Sequence, residues 1–116
     1  MSGLIFYDII NREVVSMGEF EVGSLKFEWD DEKAKINVKK HEIYFEDAVL
    51  VFFDNNAIYY EDDEHSIDEN RMKVVGMVKK VLAVIYTERG EVNRIISARF
   101  ADKKERNDYY GQFDFD

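Results

Sequence analysis

Apolar and polar positions alternate through Leu25-Lys26-Phe27-Glu28-Trp29, the period of a strand with one buried face. Asp30-Asp31-Glu32 follows at once and supplies a capping side chain and an acidic first turn, so a helix is predicted from there to about Lys40. Ala34, Ile36 and Val38 give that helix only a thin apolar stripe, which suits a helix lying on a sheet with its lysines outward. The spacing then changes. Phe45, Ala48, Val49, Phe52 and Phe53 recur at i, i+3, i+4, i+7 and i+8, which predicts a single core helix over 45–53.

Strands are predicted over 57–62, 70–77, 81–88 and 92–100. Val78-Lys79-Lys80 turns the chain between the second and third, and Glu88-Arg89-Gly90-Glu91 between the third and fourth, with a glycine suited to positive φ. Val81 to Tyr86 is apolar on both faces, so its strand should be central and covered on both sides. Asp102 and Glu105 have the spacing of a capping box and start a last helix running to Tyr110. The expected order is β, α, α, β, β, β, β, α. Short connections between successive strands favour an antiparallel meander, so the expected fold class is α+β with two N-terminal helices and one C-terminal helix.

Ahead of this pattern, LIFYDII, VVSM and FEV are strand-like pieces split by Asn11-Arg12-Glu13, Gly18 and Gly23. Residues 1–24 are therefore set apart as an arm or an extra hairpin, residues 25–110 as the domain, and residues 111–116 as a fraying tail. The whole chain of 116 residues suits one core, and nine Phe and seven Tyr argue against disorder over most of its length. The chain has no Cys, which excludes disulfides and thiolate metal sites and fits a reducing compartment. LIFYDII contains Asp8, follows no base and is too short to span a bilayer, so a cytoplasmic location and no membrane partner are expected.

Charge changes the picture. The formal net charge is −9, yet residues 42–70 hold ten acids and no Lys or Arg, while residues 89–106 hold six bases against three acids. Such a chain can bind a polyanion only at a focused patch, because its overall field repels one. Arg94 and Arg99 fall on the last predicted strand, Arg71 on a neighbouring one and Arg89 on the turn at its edge. The plainer reading is that these arginines pair with acids such as Glu69 or Glu88 and hold strands together. Arg94 and Arg99 are five apart, on opposite faces of a regular strand, unless a bulge near Ser97-Ala98 shifts the register.

His41 and His65 are the histidines, the side chains whose ordinary pKa suits acid–base work near neutrality. Lys39 and Lys40 beside His41 favour its neutral form and suit a base; bonding the free carbonyls of a helix end is the alternative. His65 lies in EDDEHS, where a loop-ordering role is expected. The run EDDEHSIDE lacks the glycine and terminal bidentate spacing of a calcium loop, so a solvated loop and no metal are expected. No Ser-His-Asp set, Cys-His pair or phosphate-cradling glycine loop is visible, and no cofactor is expected.

The strings FEWDDEKAKINVKKH, FEDAVLVFFD, EDDEHS, TERG and RIISAR stand in the order and spacing of the BrnT family of small ribonuclease toxins. From residue 25 to about 110 the chain resembles that family. The resemblance implies a RelE-like fold and metal-independent endonucleolytic cleavage of RNA that inhibits translation. It also implies neutralisation by a BrnA-type ribbon-helix-helix antitoxin, a homodimer within the toxin–antitoxin complex, and autoregulation in which operator DNA is reached only through the antitoxin. Three positions depart from the family pattern: Glu42 replaces a usual Gly, Asp31 a frequent Pro, and Met77 an Arg that many relatives carry.

Such a reaction needs an activated 2′-hydroxyl, a protonated leaving oxygen and a counter to the extra charge of the phosphorane. Arginine suits the last task, because its planar fork grips two phosphate oxygens and stays charged. The candidate catalytic residues are Arg99 with Arg71, both at family positions, then Arg94, with His41 or Glu69 as general base. Lys33, Lys39 and Arg89 are RNA-binding candidates. Met77 and the net charge also leave open a catalytically inactive, antitoxin-binding co-repressor.

Overall fold

The alternating stretch at Leu25 is a strand, and what precedes and follows it is laid into the same sheet. The computed structural model describes residues 4–8, 13–62 and 70–113. Within them, β1 (Leu4–Asp8), β2 (Glu13–Val22), β3 (Leu25–Asp30), β4 (Ile58–Glu61), β5 (Arg71–Val78), β6 (Lys80–Arg89) and β7 (Val92–Phe100) form a seven-stranded sheet ordered β1-β2-β3-β7-β6-β5-β4. The helices are α1 (Asp31–His41), α2 (Phe45–Ala48) and α3 (Lys103–Gly111). Among the described residues, no helix is long and apolar enough to cross a membrane.

The sheet is mixed, which corrects the antiparallel meander expected from the chain's short turns. β4 to β7 do form antiparallel pairs in sequence, but β3 runs parallel to β7, with Lys26 opposite Val92 and Glu28 opposite Arg94. The physical reason is the crossover: α1 and α2 carry the chain to the far edge of the sheet, and three reversals bring β7 back beside β3 pointing the same way. Short turns inform only about strands adjacent in sequence. On the other side of β3, β2 adds antiparallel and β1 adds to β2. Trp29 lies opposite Gly18 on β2, and a Cβ at Gly18 would overlap the Trp29 ring, so only glycine lets the indole lie flat across the strand.

β6 is central, and both of its faces are covered. Leu82, Val84 and Tyr86 face a cluster with Phe27, Trp29, Phe45, Val49, Val51, Val74, Ile95 and Ala98, against which Ala34 of α1 also packs. Val81 and Ala83 face a smaller cluster with Val75, Ala101 and Tyr109 of α3.

The single helix expected over 45–53 is instead α2 followed by a 3₁₀ turn, Val49–Phe53. β-branched and aromatic residues hold an α-helix poorly, and the segment buries Phe45 and Ala48 from α2 and Val49 and Val51 from the tighter turn. Gly76 of β5 makes room for this: a Cβ there would sit 3.2 Å from both the Cβ and the carbonyl oxygen of Val51. Phe53, read as core, is 44% exposed.

α1 begins where Asp30 Oδ1 accepts from the amides of Glu32 and Lys33 at 2.8 and 3.3 Å. It is held against β7 by Asn37, a buried side chain whose Oδ1 accepts from the Ala98 amide at 3.0 Å and whose Nδ2 donates to the Ile43 carbonyl at 3.0 Å. It ends at Glu42, which is left-handed at φ 60° and donates its amide to the Val38 carbonyl. That conformation favours glycine, so Glu42 carries backbone strain. Glu42→Gly is expected to stabilise the fold by about 0.5–1 kcal/mol, relief of the left-handed strain exceeding the added chain entropy, and urea denaturation reads it directly.

Candidate phosphate-binding site

Alternation along β5 puts Arg71, Lys73, Val75 and Met77 on one face, opposite Thr87, Ile85, Ala83 and Val81 of β6. On β7 the pairing shifts by one: Tyr86 stands opposite Ile95 and Ile85 opposite Ser97, so Ile96 is an inserted residue with no partner position on β6. The bulge falls next to the position the arginine spacing required. Because of it, Arg94 opposite Thr87 and Arg99 opposite Ala83 share a face despite being five apart. That face is the one carrying Arg71 and Lys73.

Arg71, Lys73 and Arg99 line one open hollow of about 350 Å³ together with Asp62, Ile85, Ile96 and Ser97. α3 closes its end. Asp102 and Glu105 form a reciprocal capping box, the Glu105 amide donating to Asp102 Oδ1 at 2.8 Å and the Asp102 amide to Glu105 Oε1 at 2.9 Å. The same Glu105 carboxylate receives the Arg99 guanidinium as a fork, Nη1 to Oε1 at 2.7 Å and Nη2 to Oε2 at 3.0 Å, and Lys73 Nζ at 2.7 Å. Lys73 Nζ also lies 4.7 Å from the centre of the Tyr60 ring.

Glu105 is only 3% exposed. Burial pushes its carboxyl up, but bonds from Arg99, Lys73 and the Asp102 amide outweigh burial and hold it at about 2. The fork to Glu105 raises the Arg99 pKa further, against burial, with Asp102 and Asp62 adding to the same direction. A second tie fixes α3 beside the hollow: the Tyr109 hydroxyl and the Met77 amide both donate to Asp54 Oδ2. Burial raises the Asp54 carboxyl, and these bonds more than reverse it.

The other sequence candidates are placed elsewhere. Arg94 is on the same face but outside the lining, 11% exposed and 3.8 Å from Glu28. Arg89 ends β6 and is not part of the lining either. Lys33, Lys39 and His41 belong to α1, which packs through Ala34 against the opposite face of the sheet, so the structure does not bring them to the hollow. Glu69 and His65 lie outside the described residues, as does most of the acidic run around them. Met77 packs against the small cluster under α3 and does not reach the hollow.

Sequence reading missed three residues, Asp62 among them, which it took only as part of a solvated acidic loop. Lys73 was legible from alternation, two positions after Arg71 on a strand. Glu105 was read only as half of a capping box, since nothing along the chain marks its second task of binding Arg99 and Lys73.

A family model described as "Ribonuclease toxin, BrnT, of type II toxin-antitoxin system" matches residues 29–105. The chain is similar to the solved structure of the Brucella abortus ribonuclease toxin, BrnT, with 24% identity and a TM-score of 0.50, covering 65% of this chain and 94% of that one. No curated protein matches the chain.

Proposed function

Because the chain belongs to the BrnT family of ribonuclease toxins of type II toxin–antitoxin systems, we propose that the hollow between β5 and β7 holds an RNA phosphodiester and that the protein is an endoribonuclease. The observation that carries this reading is the convergence of Arg71, Lys73 and Arg99, from two strands, on one water-accessible hollow in a chain of net charge −9.

In the reaction, the ribose 2′-oxygen attacks phosphorus and its proton passes to Asp62, the carboxylate of the lining. The bond to the 5′-oxygen breaks, solvent protonates that oxygen, and the products are a 2′,3′-cyclic phosphate and a 5′-hydroxyl end. Arg71, Lys73 and Arg99 face the oxygens on which charge builds up, where fixed donors lower the barrier most. Arg94, on the same face but paired with Glu28, is assigned a structural role. No step is assigned to a metal, and the fold is read as RelE-like.

An antitoxin partner and an RNA target follow from the family. We assign the antitoxin to the BrnA ribbon-helix-helix type, which alone contacts operator DNA, with the toxin a homodimer inside the complex. Exposed Ile36, Tyr44, Leu50 and Phe53 are apolar surface available for such contacts.

Purified protein is expected to cleave single-stranded RNA in the presence of a chelator, leaving cyclic phosphate ends, and to leave the 2′-deoxy analogue intact. Expression without antitoxin is expected to arrest growth and stop protein synthesis. Two observations favour a second reading, an inactive co-repressor: the Arg99 fork is already occupied by a buried carboxylate, and Met77 is packed into an apolar cluster. Intact RNA and normal growth, with antitoxin binding retained, would decide for it.

A further inference from the structure

Among the described residues, Glu105 is the one buried acid, and it touches two of the three cations of the hollow. As a helix cap it needs only the Asp102 amide. Its carboxylate instead accepts four donors, two from Arg99, one from Lys73 and one from Asp102. The Arg99 guanidinium has five N–H donors. Among the described residues, Glu105 takes two and the Phe100 carbonyl, at 3.4 Å, a third, which leaves two of the five. The fork is therefore held by one edge while its remaining donors belong to the side chain lining the hollow.

We infer that Glu105 is a positioning residue for cleavage: it trades part of the hollow's positive charge for a fixed orientation of Arg99 and Lys73. The inference rests on reading the hollow as the phosphate site. Its signature follows from opposing effects of one change. Removing the negative charge makes the hollow more positive and favours a polyanion. Releasing the fork lets Arg99 and Lys73 wander, and a misplacement of about 1 Å can cost around 10²-fold in rate. A helix cap that merely kept the protein folded would lower binding and rate together.

The test uses the full chain, a single-stranded RNA of defined sequence, and its 2′-deoxy counterpart, which binds but lacks the attacking hydroxyl. For Glu105→Gln, single-turnover cleavage is expected to fall about 10- to 100-fold while the 2′-deoxy strand binds as tightly as to the parent or several-fold tighter. Glu105→Asp keeps the charge and is expected to recover much of the rate at parental affinity. Arg99→Lys guards against a misfolded Glu105 variant: it keeps the charge but cannot make the fork, and is expected to fold as the parent does and cleave at least tenfold more slowly. If the parent protein cleaves and binds while Glu105→Gln leaves both within twofold, or Arg99→Lys cleaves at the full rate, the inference fails alone. A parent protein that neither cleaves nor binds would overturn the site reading and this inference with it.

Discussion

Replacing either arginine of the hollow with alanine is expected to lower RNA cleavage by about 10²–10³-fold, the usual cost of losing one preorganised donor to a transition-state charge. The two replacements should differ in stability, and the difference tells the site from a structural cluster. Arg99 forms a bidentate bond to a carboxylate whose side chain is 4% exposed. Arg99→Ala leaves Glu105 with Lys73 and one amide, so it is expected to cost about 1–3 kcal/mol in addition to the rate. Arg71 lines the same hollow but is not part of the fork on Glu105, so Arg71→Ala is expected to lose the rate without the loss of that fork. Denaturant titration beside a cleavage assay separates the effects. Equal stability loss at both positions, with cleavage untouched, would show that the arginines only tie strands together.

The second large effect is on folding, and it is read in acid. The folded-state pKa of Glu105 lies at about 2, below its ordinary 4.5. A depressed carboxyl stabilises the fold while ionised, so its contribution is complete above about pH 4.5 and fades as pH falls toward 2. A shift of that size corresponds to about 3 kcal/mol, a large part of the stability of a domain this small. Glu105→Ala is therefore expected to lower the thermal midpoint at neutral pH by about 10–15 °C. It should also flatten the loss of stability between pH 4.5 and 2, and scanning calorimetry across that range checks both. A variant that loses stability at pH 7 but still melts along the parent's acid profile would place the effect in helix capping and not in the ion cluster.

Much of this architecture is legible along the chain because it depends on local rules. Period-two alternation marks β3, the apolar run at Val81 marks an inner strand covered on both faces, and Asp30, Asp102 and Glu105 mark helix starts. What alternation could not supply was the residue at which it breaks. Arg94 and Arg99 share a face only because Ile96 is inserted, and an insertion depends on how β6 and β7 pair, which neither strand encodes alone. The parallel contact of β3 with β7 was hidden for a similar reason, since the crossover through α1 and α2 decides it. Glu105 escaped notice because its local duty as a cap explains it fully until Arg99 and Lys73 are seen beside it.

That parallel seam also bears on the order in which the molecule assembles. Lys26 and Val92 are 66 positions apart, whereas β5, β6 and β7 meet through tight reversals at Lys79 and Gly90. Closing the long loop costs entropy that no local contact returns, so hairpins precede it. The lining of the hollow runs from Asp62 to Arg99 and its brace stands at Glu105, all inside the segment that needs no distant strand. Folding can therefore raise the cationic pocket early and zip β3, with β1 and β2 in tow, onto its flank last.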